Sequence, residues 1–100
     1  MKVKKFILDG KNFSNIEDFY DEAQKVLTDD FKGFGRNLDA FDDILYGGFG
    51  KFESEKIIIV WQNFDQSKKE LPSEFLKKII EIIKNHKNIK LQLNKKLGEK

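Results

Sequence analysis

Ile57-Ile58-Ile59-Val60-Trp61 is an unbroken run of β-branched and aromatic residues in a chain of 100 residues. Branching at Cβ stiffens a side chain and favours extended backbone. A run of this kind without polar alternation predicts a strand with both faces buried, as in the middle of a parallel sheet. Parallel neighbours cannot be joined by a hairpin and need long, usually helical, crossovers. The segments on either side of 57–61 supply them.

Val3 to Leu8 reads as a first strand, closed by the turn signal Asp9-Gly10. Ser14, with Glu17 three residues on, predicts a capped helix start. Ile16, Phe19, Tyr20, Ala23, Val26 and Leu27 then recur at helical spacing. Residues 28–35 read as a loop. Asn37 predicts the N-cap of a second helix of about ten residues, stopped by Gly47-Gly48. Residues 47–56 form a second loop. Beyond the 57–61 strand, Asn63 to Lys69 predicts a short helix led by Asp65 and Ser67. Pro72 opens another at a position where its missing N–H costs nothing. Phe75, Leu76, Ile79, Ile80, Ile82 and Ile83 are its apolar stripe, and Asn85-His86-Lys87-Asn88 its end. Ile89-Lys90-Leu91-Gln92-Leu93 alternates and reads as a half-exposed edge strand.

The expected order is β-α-α-β-α-α-β, an α/β fold with a small three-stranded parallel sheet packed against helices. With 57–61 central, the strand order is 1-2-3, and the connections are right-handed. One domain over residues 1–94 accounts for the chain, with 95–100 a frayed tail. There is no cysteine, hence no disulfide framework or thiol chemistry. No apolar run reaches the length of a membrane span, and the basic start Met1-Lys2-Val3-Lys4-Lys5 precedes too few apolar residues for a signal peptide. A cytoplasmic protein, monomeric when free, is the expectation.

Net charge is only +2, too little for a nucleic-acid-attracting field over the whole molecule. Its distribution says more. Residues 29–50 carry five acids against Lys32 and Arg36, a sum of −3, and residues 77–100 carry eight lysines against Glu81 and Glu99, a sum of +6. The acids concentrate on the Asn37 helix. Leu38, Phe41, Ile44 and Leu45 should face the core, leaving Asp39, Asp42, Asp43 and Tyr46 on the other side. A solvated face is the plain alternative, with Asp39 complementing the positive helix terminus. Asp42 and Asp43 fit it less well, because that effect fades beyond the first turn.

Catalytic constellations are thin. His86 is the single histidine, no Cys/His metal cluster exists, and Gly33-x-Gly35 and Gly47-Gly48-x-Gly50 lack the rest of any phosphate-binding signature. No catalytic residue, metal ligand or cofactor is assigned. Trp61 and Phe64 read as core or sheet-end packing. Phe34, Phe49 and Phe52 lie instead in loops beside the acidic helix, where an aromatic among carboxylates is what a protein-binding hot spot looks like.

The stretch Phe34-Gly35-Arg36-Asn37-Leu38-Asp39-Ala40-Phe41-Asp42-Asp43-Ile44-Leu45 resembles the Tyr-Gly-x-Asn-Leu-Asp-Ala-Leu-x-Asp segment of the barstar family of intracellular ribonuclease inhibitors. Trp61-Gln62-Asn63-Phe64-Asp65-Gln66-Ser67-Lys68 resembles that family's Trp-x-x-Phe-x-x-Ser stretch, and the order of elements agrees along almost the whole chain. The resemblance implies an inhibitor or immunity protein, not an enzyme, that blocks the active site of a small basic, barnase-like ribonuclease or related toxin. The matching contact positions are Gly33, Phe34, Gly35, Asn37, Leu38, Asp39, Asp42 and Asp43, with Glu81 on a later helix. A cleft built for phosphates is lined with cationic groups, and carboxylates on a rigid helix can accept charge-assisted hydrogen bonds from them. Four positions depart from the family pattern. Gly33 leaves one aromatic where the family has two, Asp42 replaces an aromatic, Arg36 replaces an acid, and Gly48 replaces a tryptophan. Two other function classes remain: a nucleic-acid-binding module using the lysine-rich C-terminal part, and a small metal-dependent enzyme using the aspartate face.

Overall fold

A computed structural model describes residues 3–27, 37–46 and 56–94. Strand β1 (Val3–Asp9) leads through one 3-10 turn (Gly10–Asn12) to α1 (Ile16–Leu27) and α2 (Leu38–Leu45). Strand β2 (Lys56–Gln62) is followed by α3 (Phe64–Glu70), α4 (Ser73–Lys84) and β3 (Ile89–Leu93). The sheet is parallel with order β1-β2-β3, and Leu8, Trp61 and Leu93 share one register level.

That order has a geometric consequence. Two successive right-handed crossovers that step in the same direction across a sheet fall on the same face. The buried residues agree. Leu8, Ile57, Ile59, Trp61 and Ile89 form a single core with Phe19, Tyr20, Ala23 and Leu27 of α1, Phe41, Ile44 and Leu45 of α2, and Leu76, Ile79 and Ile83 of α4. The expectation of a strand buried on both faces therefore holds only in part. On the other face Ile58 is half-buried, Ile7 is 43% exposed, and Val60 is buried between its register neighbours Ile7 and Gln92. An unbroken apolar run reflects the central position of β2, not a second helical layer.

One helix start differs from expectation. Asn15, not Ser14, caps α1: its Oδ1 accepts from the Asp18 N–H at 2.8 Å and its carbonyl from Phe19 at 3.0 Å. Phe13 accounts for the shift. It is only 2% exposed, with its ring edge-on to Phe19 at 5.2 Å and to Trp61 at 6.0 Å. Burying that ring carries the chain one residue further before it can coil, and asparagine is as good a cap as serine. Helix α3 starts at Phe64, within one residue of the expected Asn63 to Lys69 span, behind Asn63, whose φ of 54° is left-handed. The Asn63 amide donates to Asp9 Oδ1 at 2.8 Å. Pro72 does precede α4, at its N-cap. Residues 95–100, expected to fray, lie outside the described residues.

Trp61 joins the two halves. Its indole Nε1 donates to the Oγ of Ser67 at 2.9 Å, deep in the core, while Phe64 packs edge-on against it at 5.2 Å. Gly10 closes onto the same place, since a Cβ there would stand 2.4 Å from the Asn63 carbonyl oxygen and 2.6 Å from Ser67 Oγ. Only glycine fits.

Two outcomes follow from this packing. Ser67→Ala leaves the Trp61 N–H buried and unpaired and should cost about 1–3 kcal/mol, while Gly10→Ala should cost a similar ~1–3 kcal/mol through overlap with α3; urea denaturation measures both, and wild-type midpoints would refute the packing described. Burial also pushes the Tyr20 phenol above its ordinary value of 10.0. A raised folded-state value stabilises the protein below the unfolded value, and that contribution is lost as pH climbs through the folded one. Stability should therefore fall as pH rises above the ordinary tyrosine value of 10.0, and Tyr20→Phe should flatten that decline in urea titrations at alkaline pH.

Candidate functional site

The candidate site is the outward side of α2. Asn37 caps this helix as its sequence predicts, with Oδ1 accepting from the Ala40 N–H at 2.8 Å and its carbonyl from Phe41 at 3.1 Å. The helix spans eight residues, shorter than the ten expected, because Tyr46 already serves as its C-cap. Phe41, Ile44 and Leu45 are buried and Leu38 is half-buried against the same core. Four apolar contacts on so short a helix fix its position.

Asp39 and Asp43 stand one turn apart and are exposed. Among the described residues neither carboxylate takes part in a hydrogen bond or ion pair. Asp39 lies in the first turn, where a carboxylate complements the helix dipole. Asp43 lies near the other end, where a negative charge is unfavourable, and repels Asp39 across the i, i+4 spacing. Stability alone does not account for an aspartate there.

Asp42 behaves differently from its two neighbours. Its Oδ1 lies 2.6 Å from Nε2 of His86, a residue that is 6% exposed in the turn between α4 and β3. Tyr46, 75% exposed, sets its ring edge-on to the same imidazole with centroids 4.4 Å apart. The sequence placed Tyr46 on this face but gave His86 no part in it. Nothing in a linear pattern joins residues 44 positions apart; the pairing exists because α2 packs beside α4. Glu81 is exposed on α4, the neighbouring helix, with no bond to the aspartates among the described residues. Gly33, Phe34 and Gly35, and the departures Arg36 and Gly48, lie outside the described residues.

The three aspartates do not converge. Among the described residues no group of three or more His, Cys, Asp or Glu side chains is arranged to hold a metal ion, and no helix is long and apolar enough to cross a membrane. What the helix offers is a rigid, solvent-facing display of negative charge.

Residues 3–96 match the family described as Barstar (barnase inhibitor). The chain belongs to the barstar family. A Bacillus subtilis (strain 168) protein named "Putative ribonuclease inhibitor YrdF" is 35% identical over 82 residues, covering 81% of this chain and 82% of that protein.

Removing the cap tests the platform itself. Asn37→Ala should destabilise the protein by about 1 kcal/mol through the lost bond to Ala40, measured by urea denaturation with helix content followed by circular dichroism.

Proposed function

We propose that this protein inhibits a small basic ribonuclease of the barnase type by seating α2 and the segment before it in the enzyme's RNA-binding cleft. Membership of a family described as barnase inhibitors supports the ribonuclease as partner, and the relative's name points the same way. The observation that carries the mechanism is the exposed Asp39–Asp43 pair on a helix held firmly from behind.

In this mechanism the two carboxylates take the places of RNA phosphates. Lysine, arginine and histidine donors in such a cleft meet acceptors already in position, so little ordering is lost on binding. Gly33, Phe34, Gly35, Asn37 and Leu38 form the approach to the helix, Asp42 flanks the pair, and Glu81 adds a further acid from α4. As cytoplasmic immunity or antitoxin proteins do, the inhibitor would protect the cell that makes the ribonuclease. Binding is the whole of its action, and it performs no chemistry. Opposite charge also draws the partners together before contact.

The decisive residue is Asp43. Asp43→Ala should weaken binding by about 2–5 kcal/mol, because donors buried in the complex lose their counter-charge; that range comes from buried charge pairs at interfaces generally, the barstar–barnase pair included, and not from this structure. The fold should survive, since the carboxylate points away from the core. A titration against barnase and against ribonucleases captured from the source organism, with circular dichroism as folding control, makes the measurement; a folded variant that inhibits like the parent would refute the mechanism. Association should also slow steeply as salt rises, because attraction is screened over about 10 Å at 0.1 M ionic strength. Stopped-flow rates that stay flat with salt would tell against an acidic face, and tight RNA binding by the isolated protein at physiological salt would favour a nucleic-acid module.

A further inference from the structure

We propose that His86 is a positioning residue for the inhibitory face. It draws the Asp42 carboxylate inward and backs the ring of Tyr46, so that the surface offered to the ribonuclease is Asp39, Asp43 and Tyr46, with Asp42 serving as a clamp between α2 and the α4–β3 turn. This deepens the ribonuclease-inhibitor reading and rests on it for the identity of the partner.

His86 is well placed to hold something still. Its own N–H donates to the Ile83 carbonyl at 3.2 Å and its carbonyl accepts from Ile89 at 3.0 Å, so its backbone is tied at once to the end of α4 and the start of β3. Two residues on, the Asn88 carbonyl accepts from Ile57 of β2 at 2.9 Å. The imidazole thus projects from a point fixed by the sheet. Its burial requires a partner for the ring N–H, since an unpaired buried donor is costly. Asp42 Oδ1 at 2.6 Å is that partner, and a carboxylate, being the acceptor, places the proton on Nε2. The Asp42 side chain is still 40% exposed, so water reaches the rest of it.

One ring serves two residues because Asp42 and Tyr46 are four apart on α2 and stand one above the other. The clamp has two effects on the face. It commits the middle carboxylate of a crowded acidic set to an internal donor, which relieves its repulsion with Asp39 three residues before it. It also gives the most exposed large hydrophobic side chain of the described residues, Tyr46, a fixed orientation through an edge-on contact. An aromatic ring already ordered in the free protein loses little freedom on binding, which is the property of interface anchors.

The test compares His86→Leu, which fills the buried space without an N–H, with His86→Gln, whose amide can still donate, and with Asp42→Ala, which removes the acceptor from the exposed side. In the free protein, amide exchange at Ile44, Leu45 and Tyr46 should quicken by about tenfold in His86→Leu and Asp42→Ala, and by much less in His86→Gln. Bound to barnase, both disrupting variants should dissociate roughly 5- to 20-fold faster, His86→Leu with association within about twofold of wild type, since binding changes of this kind fall mainly on the off-rate. The double variant should dissociate no more than about twofold faster than either single one, because the two groups act as a unit. Unchanged exchange in Asp42→Ala would overturn the clamp, and it does so even if His86→Leu fails to fold. Off-rate effects that multiply in the double variant would show Asp42 touching the ribonuclease itself and overturn its inward role. If wild type does not bind barnase while exchange responds as expected, the clamp stands and the choice of partner falls; if barnase binds and Asp43→Ala releases it while exchange and off-rate ignore His86, the inhibitor reading stands and this proposal falls.

Discussion

Both helical connections of this fold lie on the same face of its sheet, and every other feature accommodates that. Leu8, Ile57, Ile59, Trp61 and Ile89 are the surface on which α1, α2 and α4 must bury their apolar sides. Three strands make a narrow floor, so the helices share it closely and each must turn its polar side outward. Trp61 sits at the end of this floor, stacked on Phe19 at 5.7 Å, flanked by Phe13 and Phe64, and bonded through its indole to Ser67. Gly10 and Asn63 are shaped by the same crowding: one lacks a side chain because none fits, and the other takes left-handed backbone to bring α3 over the sheet end.

Helix α2 depends heavily on that floor. An isolated helix of eight residues does not persist in water, because nucleation costs more than so few hydrogen bonds return. Phe41, Ile44 and Leu45 in the core and Asn37 at the cap hold it in place. The same support lets its exposed side carry charges that locally disfavour the helix. Asp43 near the C-terminal end and two like charges a turn apart each oppose helix formation by a few tenths of a kcal/mol, an amount that buried apolar contacts offset easily. The acidic face is therefore tolerated by the fold without being required by it.

The neighbour of α2 completes the arrangement. Because α4 lies beside it, the turn after α4 brings His86 under Asp42 and Tyr46. Three aspartates that look equivalent along the helix become two kinds: Asp39 and Asp43 facing solvent, and Asp42 committed in part to an internal bond. The histidine stands between Lys84 and Lys87 at a helix end, yet it is buried.

Residue spacing alone determined the order of elements, the central place of the 57–61 strand, the parallel sheet, the cap at Asn37 and the division of α2 into an apolar and an acidic side. Each of these depends on local chemistry: β-branching, helical periodicity, and side-chain oxygens within reach of nearby backbone N–H groups. The tertiary structure decided what depends on distant neighbours. Ser14 and Asn15 are both good caps, and burial of Phe13 against Phe19 and Trp61 chose between them. An apolar run reads the same whether helices or other strand side chains cover its second face, and the packing of α1, α2 and α4 into one core on one side of the sheet settled that for β2. Asp42 met its partner 44 residues away only because two helices on one side of a narrow sheet must lie against each other.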